Sequence, residues 1–333
     1  MKIGKLPNDI LEAMILSKLK YKRSEVIMRP GIGEDCCTVD FGEYACVMST
    51  DPITGTASEI GRLAVNVSCN DIASCGVEPL GIMVTLLAPP EATEAELGEV
   101  MGQLADAAAA ANVDILGGHT EVTASVTQFV IVCTAIGRAL KNAPVPTGGA
   151  RTGDSLVLTK HAGLEGAAII ALENEGELSE KLGIGLVEEA QAFVKSTSVV
   201  PEGIAAGSFG VSAMHDVTEG GLLGALWEMC EASGKGATVS RENIPVSAAT
   251  LKICDYYGID PLKLMSSGCM LISCPDGEGL VAVLEGRGIP AAVIGRVEDG
   301  RECFIADGGE KRRISPPGPD ELYKVKGHTS KGL

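Results

Sequence analysis

The sequence predicts an α/β (α+β) protein of two domains, and three observations lead to that prediction. At 333 residues the chain is long enough for two domains of ordinary size. Hydrophobic residues make up 45% of it but aromatic residues only 3%, so the cores must be aliphatic, as in sheets covered by helices. Strand-like runs alternate with helical patterns along the chain. The Pro- and Gly-rich stretch 144–149 is the best linker, which divides the chain into an N-terminal domain 1–148, a C-terminal domain 149–310 and a tail 311–333.

The charge balance excludes several classes of partner. The net charge is −17 and no run of Lys and Arg precedes the tail, so we expect neither nucleic-acid nor membrane binding. The N-terminus lacks a signal-peptide pattern and no uncharged apolar run is long enough to cross a bilayer. The eleven cysteines are an odd number without a C-x-x-C pair, which favours reduced, mostly buried thiols. We therefore expect a cytoplasmic protein that acts on a small molecule.

A β-hairpin is predicted near the N-terminus, after a first helix over residues 7–20. Residues 37–40 and 45–48 are strand-like, and a short turn containing Gly42 joins them. Folding this stretch in half places Asp35, before the first strand, beside Asp51, after the second. Two carboxylates held together repel each other unless a cation lies between them. The pair is therefore either half of a Mg²⁺ site or two solvated loop acids.

A polar strip marks the helix predicted over residues 58–75. Arg62, Asn66 and Asn70 recur every four residues, with Asp71 adjacent, on a helix that is otherwise apolar or small. The strip either faces solvent or makes specific hydrogen bonds. Asn is a poor helix former at exposed positions, which favours the second interpretation.

A glycine pair follows the next predicted elements, which are a strand over 79–87, a helix over 91–112 and a buried strand over 113–116. Gly117 and Gly118 let the backbone approach a ligand closely, and His119 and Glu121 could then face a shared site. A plain β-turn is the alternative. Residues 128–137 form the last predicted strand of this half.

The second half repeats the alternation of strands and helices. The block His215–Gly221 lies between a strand over 211–214 and a helix that begins near Leu222. Helix capping explains one of its acids, Asp216 or Glu219, but explains the whole block less well because two glycines weaken the turn. The other predicted elements are strands over 155–159, 237–240, 269–274, 291–297 and 303–306, and helices over 167–173, 247–257 and 278–286.

Taken together and in order, these motifs resemble the superfamily that contains aminoimidazole ribonucleotide (AIR) synthase, thiamine-monophosphate kinase, selenophosphate synthetase and the hydrogenase-maturation protein HypE. The HypE branch is the most similar. The resemblance rests on five stretches, namely Gly33–Cys37, Ser49–Asp51, Ala64–Ala73, Gly117–Thr120 and His215–Gly221.

The resemblance implies a two-domain AIR synthase-like fold that dimerises through N-terminal strands forming a shared barrel. It also implies ATP with Mg²⁺ in a cleft between the domains, and chemistry that activates an oxygen atom by phosphorylation. Carried over by position, the metal ligands are Asp35, Asp51 and Asp71. The catalytic residues are Asp51, Asp71, Asp216 and His119. The nucleotide-binding residues are Gly33, Asn66, Asn70, Gly117, Gly118, Thr120, Glu219 and Gly220.

Three departures from the family pattern matter for function. The family usually has two Asp followed by two Ala where this chain has Glu34–Cys37. His119 stands where the family has an acid, which puts a titratable imidazole near phosphate. HypE closes with a terminal cysteine that carries the carbamoyl group, whereas the last cysteine here is Cys303.

Three functions are compatible with this pattern. The first is an ATP- and Mg²⁺-dependent enzyme that phosphorylates an oxygen of a small substrate. The second is a HypE-type hydrogenase-maturation factor that acts on the thiol of a partner protein. The third is a homodimeric regulatory protein that binds nucleotide without catalysis.

Overall fold

Two β-sheets, each packed with helices, make up the computed structural model, which describes residues 6–54 and 59–325. The first sheet has six strands in the order β1-β2-β3-β6-β4-β5 and the second has seven in the order β13-β12-β9-β11-β7-β10-β8. The strands of the first sheet are β1 (Val26–Met28), β2 (Cys37–Phe41), β3 (Tyr44–Ile53), β4 (Pro79–Ala88), β5 (Asp114–Val122) and β6 (Val130–Leu140). Those of the second are β7 (Ser155–Thr159), β8 (Ala213–Asp216), β9 (Gly236–Ser240), β10 (Met270–Cys274), β11 (Ala291–Glu298), β12 (Cys303–Asp307) and β13 (Glu310–Arg313).

The helices pack mainly on one side of the first sheet and around the second. They are α1 (Asn8–Ile10), α2 (Ile60–Ser74), α3 (Glu94–Ala110), α4 (Leu164–Glu173), α5 (Glu175–Leu182), α6 (Ile184–Ala192), α7 (Val200–Phe209), α8 (Gly221–Ser233), α9 (Ala248–Tyr257) and α10 (Gly277–Glu285). Short 3₁₀ turns cover Thr147–Gly149, Phe193–Ser196, Arg241–Asn243 and Glu321–Lys324. The predicted α/β class is thus confirmed. In the described part of the chain, every helix is too short or too polar to span a bilayer.

The predicted hairpin is confirmed in its register. Cys37 pairs with Met48 and Phe41 with Tyr44, so the strands are joined by the two-residue turn Gly42-Glu43. Gly42 has a φ of +88°, the conformation that such a tight hairpin turn requires. The second strand is longer than expected, and Asp51 therefore lies on β3 rather than after it.

Helix α2 is the central element of the first half. It packs on β3 and β6 on one side and on α7 of the second half on another, and all but two of its fifteen residues are buried. Of the polar strip, Asn66, Asn70 and Asp71 are therefore buried, and only Arg62, which pairs with Glu59, is partly exposed. Asn70 has no exposed surface and Asp71 is 3% exposed.

The first sheet has an outer face that lies opposite α2. Side chains alternate along a strand, so the residues that do not contact α2 point the other way. They are largely apolar and partly exposed: Leu80 is 51%, Met83 49% and Leu140 59% exposed. We call this surface the outer face.

Four expectations differ from the structure. The first helix is irregular, since a π-turn and a 3₁₀ turn continue α1 to Lys18. Its apolar stripe does not pack on the core and is therefore exposed, at 60% for Met14 and 50% for Ile15. Strand β5 is exposed at Leu116 instead of buried, because it is paired only with β4. The helices α5 to α7 were not predicted. Residues 311–325 do not behave as a tail, since β13 joins the second sheet and Asp320, Leu322 and Val325 are at most 2% exposed. Residues 326–333 lie outside the described range.

Candidate functional site

The turn that precedes β2 packs against the second half of the molecule. Gly33 has a φ of +76°, and a Cβ there would lie 3.1 Å from the carbonyl oxygen of Glu228 on α8. A larger residue would push the turn away from that helix. The next residue, Glu34, accepts a hydrogen bond of 3.2 Å from the Gly148 N–H in the predicted linker. These contacts hold Asp35 against the second half, where its Oδ2 lies 3.0 Å from Nδ1 of His215.

Two further acids come from the first sheet and its central helix. Asp71, on α2, accepts a hydrogen bond from the hydroxyl of Ser49, which lies on the inner face of β3. Asp51 lies two residues along the same strand and is hydrogen-bonded to Asp71. Burial raises the pKa of Asp71 well above its usual range, and the nearby carboxyl groups of Asp216, Asp51 and Asp35 raise it further. All four acids therefore lie close enough to interact electrostatically.

The second half contributes neighbouring residues at the end of β8. Asp216 and His215 are each 1% exposed, and the His215 ring is held on both sides by carboxylates. Its Nδ1 faces Asp35 and its Nε2 lies 3.1 Å from Oε2 of Glu228. Burial alone lowers the pKa of His215, but the contacts with Asp35 and Glu228 outweigh it and raise that pKa well above its usual value. His215 is thus a buried imidazolium that offsets part of the negative charge.

We call Asp35, Asp51, Asp71, Asp216 and His215 the acidic site. Ligand atoms of Asp35, His215 and Asp216 all lie within 4.8 Å of one another, which fits a single metal ion. Carboxylate oxygens from both halves are the donors that Mg²⁺ prefers. Because Nε2 of His215 is hydrogen-bonded to Glu228 and Nδ1 faces the carboxylate of Asp35, His215 acts here as a counter-ion, and the carboxylates are the residues that fit Mg²⁺.

The two asparagines of α2 make hydrogen bonds to the second half of the chain. The amide of Asn66 donates to Oγ1 of Thr197 over 2.9 Å, and that of Asn70 donates to the Thr197 carbonyl over 2.8 Å. Oδ1 of Asn70 also accepts from the Val199 N–H over 2.7 Å. Asn70 is fully buried and uses both ends of its amide, so it joins the two halves.

The Gly117–Thr120 stretch lies apart from the acidic site. It is part of β5, not a turn or a loop, and Gly118 is required there because a Cβ would lie 1.7 Å from the Val84 carbonyl oxygen. His119 and Pro52, the neighbour of Asp51, lie in the same row of paired residues across β5, β4, β6 and β3. Three strand spacings therefore separate His119 from Pro52 by roughly 14 Å. The imidazole of His119 is exposed and lies 3.6 Å from Glu121, so the structure does not bring it to the acids of its own chain.

The start of α8 contacts the C-terminal segment. The N–H of Gly220 donates to Oδ2 of Asp320 over 2.7 Å. Glu219 is half-buried beside it. Both residues come after the short stretch 217–218 that follows Asp216, and they lie near the C-terminal segment.

Sequence reasoning missed three residues of the site: His215, Ser49 and Glu228. His215 was noted only as part of its block, since alternation along a strand directs it away from Asp216. Ser49 carried a signal, because it precedes Asp51 by two residues and therefore shares its face. Glu228 carried none, as its contact depends on how α8 lies against β8.

The fold and the site together define a class: a two-domain α/β protein whose halves contribute carboxylates to one buried acidic centre. The chain matches the family described as "AIR synthase related protein, N-terminal domain" over residues 33–139. Residues 151–308 match the family described as "AIR synthase related protein, C-terminal domain". The protein therefore belongs to the AIR synthase-related family, as the sequence motifs predicted.

Named relatives match along most of the chain. A putative hydrogenase expression/formation protein of Methanocaldococcus jannaschii is 29% identical over 327 residues, which cover 93% of each chain. The carbamoyl dehydratase HypE of Cupriavidus necator is 29% identical over 267 residues, covering 77% of this chain and 74% of the relative. The predicted likeness to the HypE branch is thus confirmed.

Solved structures show the same fold. The HypE of a HypE–HypF complex superposes with a TM-score of 0.74 at 22% identity, covering 92% of this chain and 99% of that one. A ThiL protein complexed with AMPPCP and TMP gives 0.75 at 21% identity, covering 96% and 98%. A HypE in complex with ATP gives 0.68 at 22% identity, covering 94% and 95%.

Proposed function

We propose that this protein is an ATP- and Mg²⁺-dependent enzyme that phosphorylates an oxygen atom of a small-molecule substrate. The prediction of an enzyme agrees with relatives that are named carbamoyl dehydratase. The observation that carries the proposal is the convergence of Asp35, Asp51, Asp71 and Asp216 at one buried centre. Without a bound cation such a cluster destabilises the folded protein, because burial and mutual repulsion both oppose ionisation of the carboxyl groups.

Asp35, Asp51, Asp71 and Asp216 would hold Mg²⁺ in this proposal. The bound metal would neutralise the phosphates of ATP and polarise the transferred phosphoryl group. The chain's own residues prepare the site: Ser49 orients Asp71 and His215 fixes Asp35. Because the carboxylates come from both halves, the distance between the halves sets the geometry of the acids. ATP as the nucleotide is supported by the HypE structure that contains it.

The test is ATP turnover with Mg²⁺, alone and with the small-molecule fraction of a cell extract. Asp51→Asn keeps the size of the side chain and removes the charge, so we expect turnover to fall by about 100-fold or more. Asp106→Asn, on the exposed side of α3, is the matched control and should leave turnover unchanged. If Asp51→Asn turns over ATP as fast as the parent, the acidic site is not the centre of the reaction. If ATP with Mg²⁺ does not raise the melting temperature of the parent, nucleotide binding itself is wrong.

A second candidate is a hydrogenase-maturation factor acting on the thiol of a partner protein. The names of the relatives favour it. The C-terminal segment also bears on it: Asp320 accepts hydrogen bonds from the N–H groups of Gly220, Met265 and Leu322. This docking ties residues 320–325 to the second half, and the last cysteine, Cys303, is buried, so in this candidate the thiol substrate belongs to a partner protein. Release of phosphate on addition of a purified carbamoylated partner, but not of small molecules, would favour this candidate.

We further propose that the protein is a homodimer that pairs through the outer face, and that it is cytoplasmic. The apolar outer face and the open edge of β5 support the dimer, because exposed apolar patches of this kind mark interaction surfaces. A second copy is also the simplest way for His119 to contact an acidic site, since it is far from the site of its own chain. All eleven cysteines are free thiols, which agrees with a reducing compartment.

A further inference from the structure

A cavity of about 470 Å³ lies in the second half, away from the acidic site. It is bounded by the start of α8, the loop 260–263, strand β12 and the C-terminal segment 312–324. Its apolar lining comes from Leu223, Leu262, Ile305, Ile314 and the prolines 316, 317 and 319. This volume lies within the range of roughly 300–1,000 Å³ that is typical of small-molecule sites.

Positive charge is concentrated in this cavity. Five of the chain's 27 basic residues line it, against two acids, although the chain as a whole has a net charge of −17. The five are Arg241, Lys263, Arg312, Arg313 and Lys324, and the acids are Asp260 and Glu321. We call this cavity the basic pocket.

Three of the five cations already have carboxylate partners. Arg312 lies 3.2 Å from Asp307 and Arg313 lies 3.3 Å from Glu302. The ammonium of Lys324 lies 2.6 Å from Glu321, one of the two acids of the pocket.

Arg241 and Lys263 are the remaining two cations. Neither forms an ion pair with any residue in the described ranges 6–54 and 59–325. The second acid of the pocket, Asp260, uses Oδ1 to accept from the Leu262 N–H within its own turn over 3.0 Å. The pocket therefore presents an Arg and a Lys whose charge the surrounding residues do not neutralise.

We propose that the basic pocket binds a small phosphate-bearing molecule through Arg241 and Lys263. The guanidinium matches two phosphate oxygens at once, and the ammonium adds a point charge to the same group. The apolar lining holds the rest of the molecule. This site is separate from the acidic site in residues and in the sign of its charge, so it needs no metal to accept an anion.

The test uses inorganic pyrophosphate as the probe and isothermal titration calorimetry as the measurement, with EDTA present throughout. Without divalent cations the acidic site repels pyrophosphate, so binding at the acidic site does not contribute to the signal. We expect saturable binding that weakens at least tenfold between 50 mM and 500 mM NaCl, because it is an ionic contact. The double variant Arg241→Gln with Lys263→Gln should bind at least tenfold more weakly.

The matched control is Lys252→Gln with Arg287→Gln, which removes the same charge from exposed positions outside the pocket. It should bind pyrophosphate as the parent does. Equal weakening in both double variants would mean that only the overall charge matters and would overturn the proposal, as would an absence of binding by the parent. Tighter binding of citrate than of pyrophosphate would overturn the assignment to phosphate. Because EDTA is present, a negative result leaves the proposed ATP chemistry to its own test.

Discussion

The two sheets differ in how completely the rest of the chain covers them. In the second sheet the neighbouring strands β7, β10 and β8 are buried at every position, although β8 is at the edge of the sheet. In the first sheet β3 and β6 bury only alternate residues, and the outer face stays partly exposed. The second sheet is therefore complete within one chain. The first is covered by helices on one side only, which supports the dimer proposed above.

The largest expected effect tests this difference directly with one substitution in each sheet. Ile272, on β10, has no exposed surface, so Ile272→Ala should lower the free energy of unfolding by about 2–5 kcal/mol, since it leaves a cavity that cannot relax. Ile136, on β6, points to the outer face and is only half-buried, so Ile136→Ala should cost less than about 1 kcal/mol in dilute protein. Urea unfolding measures both. Equal losses would show that the outer face is as well packed as the second sheet.

A smaller effect is expected at the joint between the sheets. Asn70→Ala removes the amide that binds the Thr197 carbonyl and leaves the Val199 N–H buried without its acceptor. We expect a loss of about 1–3 kcal/mol in the free energy of unfolding. Asn243→Ala, at an exposed position, is the control. If Asn70→Ala unfolds at the same urea concentration as the parent, the two halves are held by other contacts.

The smallest effect on folding, but a clear one on association, is expected at the outer face. Met83→Glu places a charge in the middle of that face, where Met83 is 49% exposed, and should barely change the stability of the monomer. In the proposed dimer the charge would be buried without a partner, which is costly. Sedimentation velocity should therefore show a dimer for the parent and a monomer for the variant. Met101→Glu, on α3, is the matched control, and an unchanged dimer in Met83→Glu would rule out the outer face.

Much of the fold followed from local patterns. The hairpin was predictable because two strand-like runs flank Gly42, which readily adopts the positive φ of a tight turn. Helix α2 was predictable from its spacing, and its two asparagines correctly indicated specific hydrogen bonds. The strands of the second half other than β13 were found because each is a short run of aliphatic residues bounded by turn-forming ones.

The parts that failed depend on contacts distant in sequence. Gly117 and Gly118 resemble a turn, but pairing with β4 keeps the strand extended to Val122. The polar groups of Asn70 were recognised as functional, yet their partner, Thr197, is 127 residues away. The Pro-rich stretch after residue 313 looked like a tail, and only the docking of Asp320 on α8 gives it a fixed position.

Two thiols lie on the outer face of the first sheet. Cys37 is opposite Met48 and Cys46 is opposite Val39, and both cysteines are half-buried. Burial raises the pKa of each thiol, so at neutral pH they react slowly with alkylating reagents and at alkaline pH faster. Their rate of alkylation thus reports on whether the outer face is covered. A rate that falls as protein concentration rises would give the affinity of the dimer from native cysteines alone.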